Sequence, residues 1–159
     1  MPRIRPVPLP DTRGPNVQAS DANVTAKQAR NNVAPSACTE YDTLARSYEG
    51  RWKRYLEVST ARTLAALAPR DQERILDAGC GTGLLLRRIA ACAPGTQFVG
   101  IDLTLAMLRQ ADRTLSDLVL GDVRRLPFAD GSLDAVVLAS VLQYLPDLDA
   151  ALSEASRVL

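Results

Sequence analysis

Seven consecutive residues, Asp77-Ala78-Gly79-Cys80-Gly81-Thr82-Gly83, constrain the fold of this chain more than any others. They stand between a short apolar run that ends in an acid, Arg74–Ala78 (RILDA), and a stretch of helical character, Leu84–Cys92. Glycines at alternate positions let the backbone turn sharply and approach a ligand with no Cβ in the way. The helix beyond them presents unpaired N–H groups at its start. Strand, glycine loop and helix in that order make the first half of a βαβ unit.

The same alternation continues downstream. Residues 97–101 (QFVGI) read as a second strand, closed by Asp102 and followed by the helical TLAMLRQAD; Asp117–Leu120 (DLVL) reads as a third, closed by Gly121 and Asp122. Residues 133–138 (LDAVVL) make a fourth, and Leu148–Val158 a final helix. Strands separated by single helices predict an α/β fold, a Rossmann-like parallel sheet with helices on both faces. Such sheets bind ligands at the carboxyl ends of their strands.

Upstream of this region Tyr41, Tyr48 and Tyr55 are spaced seven apart, and Leu44, Trp52, Leu56, Leu64 and Leu67 continue an apolar helical pattern as far as Pro69. The pattern predicts a short helix, a break near Gly50 and a longer helix. The tyrosine row reads as a helix face packed on the domain, with a lid touching ligand as the alternative. Prolines crowd the region before it (Pro2, Pro6, Pro8, Pro10, Pro15, Pro35), with little apolar periodicity. Residues 1–38 are therefore expected to form a disordered tail and 39–159 one domain. The prolines also argue against a targeting helix there.

Composition narrows the chemistry. With 19 Lys plus Arg against 18 Asp plus Glu, the chain lacks the basic excess of a nucleic-acid binder. The sequence contains no His, which removes the Ser/His triad, the commonest near-neutral base and the usual zinc and iron ligand sets. Cys38, Cys80 and Cys92 match no zinc spacing; they read as reduced thiols of a cytoplasmic protein, and no metal is expected. The longest apolar stretch, 133–145, is interrupted by Asp134 and is too short to span a bilayer.

The glycine loop departs from a dinucleotide fingerprint, which would require Gly where Leu84 stands, and no phosphate loop of the G-x-x-x-x-G-K-[ST] kind is present. Asp102 follows Gly83 by 19 residues, where a carboxylate can accept both ribose hydroxyls of an adenosine ligand, and Leu103 offers an apolar wall for adenine. In Gly121-Asp122-Val123 a carboxylate can accept from an exocyclic amine while a backbone N–H donates to a ring nitrogen. Each of Asp77, Asp102 and Asp122 alone would read as a solvated or capping acid. Three acids at three strand ends point to an adenosine-bearing ligand.

The segments ILDAGCGTG, FVGIDLTLAMLRQA, LVLGDVRRLPFADGSLDAVVLASVLQYLPD and ALSEASRVL resemble, in order, the motifs of class I S-adenosylmethionine-dependent methyltransferases, specifically the type 11, ubiquinone/menaquinone-biosynthesis-like group. The resemblance covers 41–159. It implies a seven-stranded sheet with S-adenosylmethionine across the strand ends, Asp77, Gly79, Gly81 and Thr82 along its methionine and ribose side, and Asp102 on the ribose hydroxyls. It further implies Leu103 on adenine, Asp122 and Val123 at the adenine edge, and the Ala139 backbone facing the methionine moiety.

Where many relatives carry a His-rich stretch after the fourth strand, this chain has Leu142-Gln143-Tyr144-Leu145. Gln143 and Tyr144, with Tyr48 and Trp52, are the candidates for orienting a substrate, and no catalytic residue is assigned. Methyl transfer tolerates the loss of a base, because the sulfonium already activates the methyl group and positioning supplies much of the catalysis. No [DN]PP[YF] sequence of nucleic-acid amine methylases follows the fourth strand, and Cys80 and Cys92 read as packing residues. Methyl transfer to a small-molecule acceptor is the expected function. A non-catalytic cofactor-binding module or inactive fragment, and an NAD-dependent oxidoreductase, are the alternatives. Because the family pattern continues into further strands, the sheet is expected to be truncated after the fourth strand and its helix. That would leave LDAVVL as an open edge able to self-associate.

Overall fold

The structure, a computed structural model, describes residues 35–159, with side chains from Thr39 onward. The tail expected over 1–38 lies outside the described residues except at its end, where helix α1 (Pro35–Leu44) already begins. Pro35 is a favourable first helical residue, since its missing N–H would have no partner in the first turn. Two further helices follow, α2 (Tyr48–Arg51) and α3 (Lys53–Leu67). The expected break at Gly50 is instead divided between a turn ahead of Ser47 and a kink at Trp52, whose φ of −108° and ψ of 16° leave the helical range. Helix α3 ends at Ala68, in the left-handed conformation, ahead of Pro69.

The sheet contains β1 (Arg74–Ala78), β2 (Gln97–Asp102), β3 (Asp117–Leu120) and β4 (Ala135–Val137), all parallel in the order β3-β2-β1-β4. The chain runs outward from β1 to β3 and then returns to the opposite side of β1. The switch point, where such sheets open a ligand crevice, thus lies beside the glycine loop. β4 is shorter than its apolar run: the Leu133 N–H is drawn to the Val158 carbonyl, and the Asp134 carboxylate takes both the Arg74 N–H and its guanidinium.

Side chains alternate across the sheet. Leu76, Ala78, Val99 and Ile101 pack with Ala151 and Val158 of α6 (Leu148–Val158) on one face. Ile75 and Phe98 pack on the other with Leu85, Leu86 and Ile89 of α4 (Leu84–Cys92) and Leu108 of α5 (Leu105–Leu108). Helices thus cover both faces, as the strand–helix alternation predicts. Helix α5 is a single turn, much shorter than TLAMLRQAD suggested. Beyond it the Gln110 and Ala111 N–H groups bond carbonyls three residues back, tightening the chain as Ala111 passes under the glycine loop.

Helix α6 begins at Asp147, whose Oδ1 accepts the Ala150 N–H at 3.0 Å, and carries Arg157 in its last turn. The Arg157 guanidinium donates to Glu154 and Asp130 and to the carbonyls of Leu126 and Phe128. Those bonds hold the segment after β3, which carries Asp122 and Val123, against the sheet.

Candidate functional site

The glycine loop after β1 turns through three positive-φ residues, Gly79, Gly81 and Gly83. At Gly79, with φ of +85°, a Cβ would also fall 2.8 Å from the Val141 Cβ, so the loop and the segment after β4 approach closely only because no side chain intervenes. The Asp102 carboxylate ties this loop to the end of β2: Oδ2 accepts the Gly81 N–H and Oδ1 the Thr104 N–H, both at 2.8 Å.

One cavity opens at the carboxyl ends of the strands. It is lined by Asp77, Gly79, Gly81 and Thr82 from the β1 end, Asp102 and Leu103 from β2, Asp122 and Val123 from β3, and Ala139 from β4. The nine residues assigned to cofactor binding from the sequence therefore face one space. Asp122 sits there bound by its own neighbour, with Oδ2 2.7 Å from Arg124 Nη2 and Oδ1 2.9 Å from the Arg124 N–H. Asp77 is 3% exposed, and no donor reaches its carboxyl among the described residues. Burial, with the charge of Asp102 adding to it, pushes Asp77 up to about 7. Burial likewise raises the Cys80 thiol, which suits a packing residue in the loop, whereas Cys92 is exposed and not packed as expected.

The N-terminal helices cross over this cavity. Tyr41 and Tyr48 line it, as do Leu56, Ser59, Thr60 and Thr63 of α3. The Tyr41 hydroxyl donates to the Tyr144 hydroxyl at 2.8 Å, and the two rings meet edge to face. Burial raises both Tyr41 and Tyr48, so each remains a neutral phenol. Tyr55 instead shares a 2.9 Å hydrogen bond with Ser140, a cavity residue held at a positive φ of 59°.

Two of the four proposed substrate residues stand elsewhere. Trp52 is 46% exposed on the outer side of α3, because the kink at that residue turns it from the face that Tyr48 occupies. Gln143 is exposed in the 3₁₀ turn Leu142–Tyr144, where its amide donates to the Ser140 carbonyl, and only Tyr48 and Tyr144 of the four reach the cavity.

The sequence reading missed Glu49. Its carboxylate accepts the Thr82 hydroxyl at 2.6 Å and the Arg87 guanidinium at 2.7 and 2.8 Å, while Arg87 also donates to the Thr82 carbonyl. Burial acts to raise Glu49, but these bonds outweigh it and hold the carboxyl below its ordinary value. Tyr41 and Ser140 were also missed as cavity residues; the seven-residue tyrosine spacing was the available signal for the first.

A family model described as a methyltransferase domain matches residues 76–159, more than half of the chain. The chain belongs to the type 11 methyltransferase-domain family. It is thus a class I S-adenosylmethionine-dependent methyltransferase domain, and the family's cofactor is S-adenosylmethionine. A malonyl-[acyl-carrier protein] O-methyltransferase of Geobacter sulfurreducens is 38% identical over 135 residues, which cover 80% of this chain and 48% of that protein. A chain from a complex with the Haloferax volcanii Trm112 methyltransferase activator matches with a TM-score of 0.64 at 28% identity, over 76% of this chain and 55% of that one. Phosphoethanolamine N-methyltransferase 2 of Haemonchus contortus, solved with S-adenosyl-L-methionine, matches with a TM-score of 0.58 at 27% identity, over 63% of this chain and 25% of that one. The methyltransferase domain described here spans about half or less of the length of the curated relatives it matches.

Proposed function

We propose that this domain binds S-adenosylmethionine across the ends of β1, β2 and β3 and directs methyl transfer to a small, uncharged acceptor. The observation that carries this reading is the meeting of Asp77, Asp102 and Asp122 with the glycine loop in one cavity. The residues present suit the cofactor. Asp77 is a buried acid that no donor reaches among the described residues, a counter-charge for an ammonium group. Asp102 holds the loop amide at Gly81 and lines the cavity where ribose hydroxyls would lie, and Leu103 and Val123 offer apolar surface beside it. The bound cofactor supplies a methyl group already activated by its sulfonium.

The acceptor side is formed by Tyr41, Tyr48 and Tyr144, the hydroxyls of Ser59, Thr60 and Thr63, and Leu56. No Lys or Arg lines the cavity among the described residues, so a carboxylate or phosphate acceptor would enter without a counter-charge. Burial keeps the Tyr41 and Tyr48 phenols protonated, so they orient rather than deprotonate. The acceptor therefore brings its own nucleophile, and the protein's work is to hold it in line and exclude water.

Incubation with methyl-labelled S-adenosylmethionine and a fractionated metabolite extract tests this reading. Label is expected in uncharged, organic-extractable products; label confined to anionic products, or none at all, would contradict it.

A further inference from the structure

Helix α3 has apolar residues on two sides. Leu56, Leu64 and Leu67 turn inward, yet Trp52, Tyr55 and Val58 follow one another at three-residue steps on the outer side and are 46%, 53% and 51% exposed. They share a shallow depression with Arg51 and Arg54. The Arg51 guanidinium stands over the Trp52 ring, 5.9 Å from its centroid. Arg54 lies one turn before Val58 and Arg62 one turn after it, both exposed, as is Lys53; Glu57 is the single acid of the helix. A helix that buries one apolar face and leaves another in water has surface for a partner.

We propose that this outer face of α2 and α3 is a docking surface for an anionic lipid bilayer. Aromatic rings with a polar edge, an aliphatic residue one turn on and a surround of arginines are what an interfacial helix presents to headgroups. The positive surround selects anionic lipid, with each cation near the surface adding to the attraction. No helix among the described residues is long and apolar enough to cross a membrane. The face also adjoins the cavity, because the Tyr55 hydroxyl is bonded to Ser140 on the cavity wall. An uncharged acceptor dissolved in the bilayer would meet the cavity mouth there, a link that rests on the reading under Proposed function; the docking itself does not.

Trp52 is the only tryptophan of the chain, so its fluorescence reports this face alone. The full chain is titrated with vesicles of phosphatidylcholine, with vesicles of phosphatidylcholine mixed with phosphatidylserine, and with polyglutamate. The mixed vesicles should shift Trp52 emission to the blue and protect it from acrylamide, an effect weakened by salt. Arg51→Glu combined with Arg54→Glu should weaken vesicle binding about tenfold or more, and Val58→Ser should weaken it less. The absence of any shift would overturn the proposal. So would a shift on phosphatidylcholine alone that survives the double substitution, or one on polyglutamate but not vesicles, which would mark an acidic protein as the partner. S-adenosylhomocysteine binding is measured on the same samples: its loss with vesicle binding intact would count against the proposed function, not against the docking face.

Discussion

The Thr82 hydroxyl donates to Glu49 Oε1 at 2.6 Å, joining the glycine loop to a helix residue 33 positions earlier in the chain. Arg87 closes the ring by bonding both the Glu49 carboxylate and the Thr82 carbonyl. Side chains of Glu49 and Arg87 are 41% and 31% exposed, so water screens the pair. A double-mutant cycle of Glu49→Gln and Arg87→Gln should return a coupling of about 0.5–1 kcal/mol in chemical denaturation. Because Glu49 is held below its ordinary value, this stabilisation is full above about pH 4.5 and fades as pH falls through the lowered value. Hydrogen exchange in α2 should quicken in Glu49→Gln, and unchanged exchange would show that the ring does not hold the helix down.

Asp77 should give the opposite pH dependence. Its carboxyl titrates near 7 when folded and near 4 when unfolded, so between those values the folded state keeps a proton that the unfolded chain has lost. Stability of the free protein is then expected to fall as pH rises through that window. Asp77→Asn should abolish the slope. Binding of a ligand bearing an ammonium favours the ionised acid, so affinity for S-adenosylhomocysteine should rise as pH passes about 7 in the parent and stay flatter in Asp77→Asn. Calorimetry across pH checks both.

Gly79→Ala meets two obstacles, a φ of +85° and the Val141 Cβ at 2.8 Å. We expect a loss of about 1–3 kcal/mol in denaturation midpoint measurements. Adding Val141→Gly removes the Cβ that stands in the way and opens the space but leaves the backbone strain, so recovery should be partial. Complete recovery would show that contact alone excludes a side chain there.

The strand ends were legible in the sequence because each strand carries its own punctuation. Asp77, Asp102 and Asp122 each close an apolar run, and a parallel sheet brings those ends together whatever the helices do between them. The roof was less legible. Tyrosines seven apart share a face only on an unbroken helix, and this chain bends before Ser47 and again at Trp52. The docking of two separate helices, rather than a shared helix face, brings Tyr41 and Tyr48 to the cavity, and the kink turns Trp52 away from it. Glu49 had no local signal, since its role depends on how α2 docks beside Arg87. Gln143 and Tyr144 are adjacent in sequence, and the 3₁₀ turn sends only the second inward.

The role of Asp102 tests the cofactor assignment most directly. Its carboxylate bridges the Gly81 and Thr104 amides and faces the cavity where ribose hydroxyls would lie. Equilibrium titration of the parent chain and of Asp102→Ala with S-adenosylhomocysteine should give one site, weakened by about 1–3 kcal/mol, or roughly tenfold to a hundredfold, in the variant. An affinity unchanged by the substitution, or no binding to the parent chain, would contradict the placement of the cofactor across these strand ends.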